Sequence, residues 1–79
     1  MFYYTYVLQS QTDKKLYIGW TDNLILRISK HNQGLVKSTK FRKPFKLVYY
    51  EACLSKIKVI KREKQLKTGF GRKYLKRRI

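Results

Sequence analysis

The sequence is poor in cysteine, proline, glycine and acid, with one, one, four and four of each. Each shortage excludes something. A lone Cys53 builds no disulfide framework, and with a single histidine it cannot complete a structural zinc site. So little proline and glycine, beside 43% hydrophobic and 15% aromatic residues, marks a folded chain rather than a disordered one. No stretch approaches the roughly 20 apolar residues that span a bilayer. The opening "MFYYTYVLQS" has neither the basic start nor the long apolar segment of a secretory signal. The expectation is a soluble, intracellular, cytoplasmic protein with no membrane partner. Seventy-nine residues make a single domain, 1–79, with a thin core.

The scarcity of acid has the largest consequence. Twenty Lys and Arg face four Asp and Glu, for a net charge of +16. Such a field repels itself, and a polyanionic partner would offset the repulsion. Nucleic acid fits that role. An acidic membrane surface fits less well, because no long helix pairs a Lys/Arg face with a broad apolar one.

What is present reads as six elements. "FYYTYVLQ" (2–9) is aromatic and β-branched, as strands are. "SQTDKK" turns the chain into a second strand, "LYIGW" (16–20). Thr21 and Asp22 supply N-cap chemistry for a helix through about Asn32. "NQGLVKSTKFRKP" is a loop of about a dozen residues, opening with Gly34 as a helix stop and closing at Pro44. "FKLVYYEA" (45–52) is a third strand. Ser55 caps a helix over "KIKVIKREKQLK" (56–67), and "TGFG" breaks it before a short basic tail helix, "RKYLKRRI" (72–79). The order is ββαβαα. The core is expected from Leu8, Leu16, Ile18, Leu24, Ile28, Leu47, Val48, Ile60 and Leu66.

Among so many cations each acid needs an explanation. Asp13 sits in a turn and Asp22 beside a cap. Glu51 ends a strand, where any nearby Lys is a partner. Glu63 differs, because helical spacing puts it near the middle of the apolar arc, with Val59 and Leu66 on one side and Ile60 on the other. A carboxylate there needs a partner, since uncompensated burial is costly. The choices are a salt bridge or a metal ligand at the floor of a basic groove. Arg27 and His31, four residues apart, share one face of the first helix. Arg27 can fork to a phosphate or simply cover apolar surface. His31 alone reads as a capping or solvent-facing residue, and its place beside Arg27 makes it a candidate support for the site. Tyr17 lies on the same strand face as Gly19, whose missing side chain leaves open space beside a phenol. In a positive field such a phenol can act as a general base.

These residues resemble the GIY-YIG nuclease domain, in its smallest single-domain form and similar to the N-terminal nuclease half of the bacterial repair excinuclease. The second signature stands intact as Tyr17-Ile18-Gly19, followed by "TDNLILR". Tyr4-Thr5-Tyr6 occupies the place of the first, its tyrosine eleven residues before Tyr17. "REKQLKTGFGRK" resembles the stretch around the family's catalytic glutamate, here Glu63. The resemblance spans essentially the whole chain. It implies an α+β (broadly α/β) fold, a small three-stranded antiparallel sheet flanked by helices. It implies a metal-dependent DNA endonuclease yielding a 5′-phosphate and a 3′-hydroxyl. Tyr6 and Tyr17 would line the site, with Tyr17 as base. Arg27 would stabilise the phosphoryl oxygens, Gly19 would admit phosphate and metal, and Glu63 would hold one Mg²⁺ or Mn²⁺.

The substrate class implied is branched, damaged or single-stranded DNA of the kind met in repair. A monomer is expected, with specificity borrowed from a protein partner. Lys37, Lys40, Arg42 and Lys43 of the long loop, and Lys67, Arg72 and Lys73 towards the tail, are candidate nucleic-acid contacts. Exposed aromatics such as Phe41 offer stacking surfaces. The competing expectations are a non-catalytic DNA- or RNA-binding module and a structural ribonucleoprotein component.

Either nucleic-acid function predicts binding that weakens steeply with salt. Each neutralised phosphate contributes roughly 0.9 to the slope of log affinity against log salt on duplex DNA. Fluorescence anisotropy titrations at several salt concentrations measure it, and a slope near zero would remove the electrostatic argument.

Overall fold

The computed structural model describes all residues, 1–79. The elements are β1 (Tyr3–Ser10), β2 (Leu16–Thr21), α1 (Leu24–Asn32), β3 (Phe45–Cys53), α2 (Lys56–Leu66) and α3 (Gly69–Lys76). The fold is α+β, in the expected order ββαβαα. β1 lies at the centre of a three-stranded sheet, antiparallel to β2 on one side and β3 on the other. Tyr6 faces Gly19 across one ladder and Tyr50 across the other. The β1–β3 register shifts between Val7 and Leu8, which pair with Tyr49 and Leu47, so β3 carries an extra residue at Val48.

Strand alternation gives the sheet two apolar faces, each with its own small core. On one face Tyr6, Leu8 and Phe45 pack with Leu24 and Ile28 of α1. On the other, Val7 packs with Leu66 of α2 and Leu75 of α3. Of the expected core, Leu8 and Leu66 are fully buried, while Ile18, Leu24, Ile28, Leu47, Val48 and Ile60 are half-buried. Leu16 is a correction: it begins the edge strand β2 and is exposed.

Polar side chains set the element ends. Asn23, not Thr21 or Asp22, caps α1, its side chain accepting from the Leu26 amide. Thr21 instead accepts from the amide of Asn23 and shapes the preceding turn. Ser55 caps α2 as expected. Gly34 follows α1 at φ 77°, the left-handed conformation that glycine adopts without strain. Asn32 then bonds both the amide and the carbonyl of Phe45, closing the 33–44 loop onto the start of β3.

α3 begins earlier than the sequence suggested. Thr68 caps it, and Gly69 and Gly71 lie within it rather than breaking the chain. Gly71 is needed because α3 crosses the end of α2 in backbone contact: a Cβ there would collide with the Leu66 Cα and carbonyl. Gly69, by contrast, has nothing within 4 Å of its absent Cβ. Gly71→Ala is therefore expected to cost about 3 kcal/mol, the upper end of overpacking effects. Gly69→Ala should be neutral or stabilising by up to about 1 kcal/mol. Urea midpoints measure both, and equal behaviour of the two variants would contradict the crossing.

Candidate active site

Tyr6 stands on the central strand with its ring lying over Gly19 of β2. A Cβ added at Gly19 would sit 2.6 Å from the Tyr6 hydroxyl and 2.7 Å from its Cζ. This corrects the expectation that Gly19 leaves open space for a phosphate. The space is filled, and the phenol that fills it is that of Tyr6. The ring is almost fully buried, which leaves its hydroxyl in need of partners inside the protein.

α1 supplies them. Arg27 donates from Nε to the Tyr6 oxygen at 3.3 Å, and His31 Nε2 lies 2.9 Å from the same oxygen. His31 Nδ1 lies 2.8 Å from Thr39 Oγ1, which also reaches the Val36 carbonyl at 3.4 Å. The Val36 carbonyl can only accept and Arg27 can only donate, so these bonds run in one direction. The Tyr6 hydroxyl donates to His31 Nε2, His31 Nδ1–H donates to Thr39, and Thr39 donates to Val36. That fixes His31 as the neutral Nδ1–H tautomer. Its pKa agrees, pushed down to about 4 by burial and by the Arg27 charge. Burial raises the Tyr6 pKa against the opposing pull of Arg27. The Tyr6 bond in turn raises that of Arg27, against the effect of burial.

His31 is thus neither a helix cap nor a solvent residue, since it is completely buried. Thr39 has no signal in the sequence: a threonine inside a twelve-residue polar loop carries no pattern that marks it as a histidine partner. Tyr17 completes the aromatic cluster, with its ring centroid 6.4 Å from Tyr6 and 5.0 Å from His31. Unlike Tyr6, it is half-exposed.

The acids divide cleanly. Asp13 binds Arg42 and the Lys15 amide. Glu51 takes both guanidinium branches of Arg62 at 2.8 and 2.9 Å, plus the Tyr49 hydroxyl. These bonds hold both carboxyls below their ordinary range, for Glu51 against the raising effect of burial. Asp22 is exposed beside the start of α1. Glu63 is part-buried, 17% exposed, and its one charged neighbour is Lys67 Nζ at 3.8 Å. No protein group donates a hydrogen bond to its carboxylate. Its charge is felt at the Tyr6 hydroxyl, whose pKa it helps to raise. The structure thus gathers Tyr6, Tyr17, Gly19, Arg27 and His31; Glu63, on α2, is linked to them through its charge at the Tyr6 hydroxyl and not by a contact.

No three His, Cys, Asp or Glu side chains come together, so an all-protein metal cage is absent. A single carboxylate with free lone pairs still suits a magnesium-like ion, which keeps several of its waters. Among the cations, Lys37, Lys40 and Lys43 are exposed on the 33–44 loop. Arg42 departs from expectation: its guanidinium is committed to Asp13 at 2.9 Å and lies over the Phe45 ring. Lys67 and Arg72 line one groove, whereas Lys73 lines another cavity with Arg62, Tyr74 and Arg78.

A small basic α+β fold with a buried tyrosine held by an arginine and a histidine is the frame of a nuclease-like domain, and comparison with known families agrees. The model of the GIY-YIG catalytic domain matches residues 2–76, and the chain belongs to that family. A UPF0213 protein of Syntrophus aciditrophicus is 47% identical over 66 residues, 81% of this chain and 75% of that one. Another, from Staphylococcus haemolyticus, is 40% identical over 75 residues, 94% of this chain and 90% of that one. The NMR structure of a UPF0213 protein from Bacillus halodurans superposes with a TM-score of 0.58 at 33% identity, covering 95% of this chain and 82% of that chain.

The buried neutral histidine has a measurable consequence. Its folded pKa, about 4, lies below the unfolded value of 6.5. Between these values the unfolded chain binds more protons than the folded one. The stability contributed by His31 is therefore complete above pH 6.5 and lost as pH falls towards 4. Asp13 and Glu51 act only at lower pH. Urea unfolding from pH 7 to 5 should show falling stability for the native chain and a flatter profile for His31→Gln. A native profile that is flat over this range would place His31 in solvent.

Proposed function

We propose that this chain is a divalent-metal-dependent DNA endonuclease that hydrolyses a phosphodiester to a 5′-phosphate and a 3′-hydroxyl. The observation that carries the proposal is Glu63. Alone among the acids it is part-buried without a hydrogen-bond donor, its charge is felt at the Tyr6 hydroxyl, and it lies in the most basic part of the chain. A purely structural carboxylate there would be clamped, as Glu51 is.

Each residue has a role that follows from its contacts. Tyr6 is a positioning group. Its oxygen holds Arg27 by Nε, which leaves the terminal guanidinium nitrogens, with Tyr17 as neighbour, to meet phosphoryl oxygens. Tyr17, half-exposed at the edge of the cluster, relays the proton of the attacking water: it takes that proton as its own phenolic proton passes to solvent, while the new P–O bond forms and the P–O3′ bond breaks. The leaving 3′-oxygen takes its proton from solvent. His31 keeps the Tyr6 proton directed inward, so the lone pairs face Arg27. Glu63 would hold one Mg²⁺ or Mn²⁺, whose contribution when bound is to neutralise charge on the phosphate and the leaving oxygen. The chain would act as a monomer on DNA of the kind met in repair.

The test is nicking of supercoiled and branched DNA at low salt with Mg²⁺ or Mn²⁺, native protein beside Glu63→Gln. Metal-dependent cutting that drops roughly 10³-fold in the variant, with DNA affinity retained, is expected by analogy with the loss of one transition-state contact. Equal cutting by both proteins would remove Glu63 from the mechanism. Tight binding without cutting on any substrate would overturn the enzyme in favour of a binding module.

A further inference from the structure

Residues 35–43 bury only two of their side chains, Val36 and Thr39. Lys37, Lys40, Phe41 and Lys43 around them are exposed. Thr39 is completely buried, and so is the histidine it meets. A hydroxyl so deep in a loop needs a partner, because burying it unbonded is costly. The loop is also fastened where it would deliver that hydroxyl. From the β1–β2 turn, Ser10 donates to the Arg42 carbonyl, Thr12 donates to the Lys43 carbonyl, and Asp13 grips the Arg42 guanidinium. Within the loop the Arg42 amide donates to the Thr39 carbonyl at 2.9 Å, and the Thr39 amide to the Val36 carbonyl at 3.0 Å. The turn holds the loop, and the loop holds Thr39.

A neutral imidazole has two tautomers, and only one of them pairs every proton here. With the proton on Nδ1, each group in the row from Tyr6 to Val36 donates to the next, and the Tyr6 oxygen keeps its lone pairs for Arg27. With the proton on Nε2, the imidazole and Arg27 would both donate to the Tyr6 oxygen. The phenolic proton would then have no acceptor. The partner of one ring nitrogen decides which tautomer a histidine adopts. That partner is Thr39, which turns its proton to the Val36 carbonyl and a lone pair to His31 Nδ1 at 2.8 Å. A side chain without the hydroxyl would leave the Nδ1 proton unpaired, and the proton would move to Nε2, where the Tyr6 oxygen can accept it.

We propose that Thr39 is a positioning residue: by fixing the His31 tautomer it keeps the Tyr6 oxygen open to Arg27 Nε, and so aims the guanidinium at the substrate phosphate. The proposal rests on the nuclease reading for what Arg27 meets, whereas the tautomer belongs to the free protein. It gives the 33–44 loop an inward role that its row of basic residues does not show. A buried group that orients a site from behind is as much part of its precision as the groups in front.

Nitrogen-15 NMR of the imidazole tests this without DNA, and His31 is the one histidine of the chain, so its ring signals need no assignment. The native chain at pH 7 is expected to carry its proton on Nδ1. Thr39→Val keeps the shape, removes the hydroxyl and should move the proton to Nε2; Thr39→Ser should keep it on Nδ1. In the nicking assay Thr39→Val should lose roughly 10²-fold in kcat with KM little changed, the scale of a small misplacement at a reacting centre. Thr39→Ser should recover most of that loss. Should Thr39→Val not fold, Thr39→Ala carries the same expectations. A native imidazole protonated on Nε2 would overturn the proposal, as would a Thr39→Val protein that keeps the proton on Nδ1 or cuts at the native rate. A native chain that cuts no DNA would remove the nuclease reading and leave the ring measurement to judge Thr39.

Discussion

A phenol buried at the centre of a sheet needs hydrogen-bond partners, and the way Tyr6 finds them organises this molecule. Its ring occupies the place of a side chain on the neighbouring strand, so residue 19 is glycine. Its hydroxyl reaches α1 through Arg27 and His31, and through His31 it reaches Thr39 in the long loop. Central strand, edge strand, first helix and loop thus meet at one oxygen. Leaving that hydroxyl or the imidazole unpartnered would cost on the order of 1–3 kcal/mol each. That is a large share of the stability of a small domain, so the same bonds that position the site also hold α1 and its loop to the sheet.

The elements were legible because their signals are local. Alternating aromatic and β-branched runs, Ser55 before a periodic segment, and Gly34 after one all act within a few residues. Glu63 was legible for the same reason, as a charge on an apolar helical arc. What escaped depends on partners distant in sequence. The purpose of Gly19 is set by Tyr6 across the sheet, that of Gly71 by the backbone of α2, and that of His31 by a threonine in a loop. Arg42 resembled a phosphate contact in a row of basic residues until the fold brought Asp13 to it. Leu16 looked like core because alternation says which face a residue takes, not whether anything covers that face at a sheet edge.

The four acids separate into those that clamp an arginine and those that do not. Asp13 and Glu51 each clamp an arginine, and in doing so they tie the hairpin turn to the long loop and β3 to α2. Both pairs are partly exposed, where an ion pair contributes little by itself. Their value lies in geometry, since each fixes a guanidinium fork between segments far apart in sequence. Glu63 makes no such tie, and most of the remaining cations face solvent. The chain neutralises charge where shape depends on it and leaves the rest facing solvent.

The sheet has two outer strands, and β2 starts from a pair of lysines. An outer strand offers unpaired amides and carbonyls to any other chain, and flanking positive charge is one of the means by which proteins discourage such edge-to-edge joining. Lys14 and Lys15, just ahead of β2, therefore guard that edge in the free protein. A polyanion that neutralised them would also cover the edge they guard. Concentrated salt screens the guard and puts nothing in its place, so for this chain high salt favours self-association.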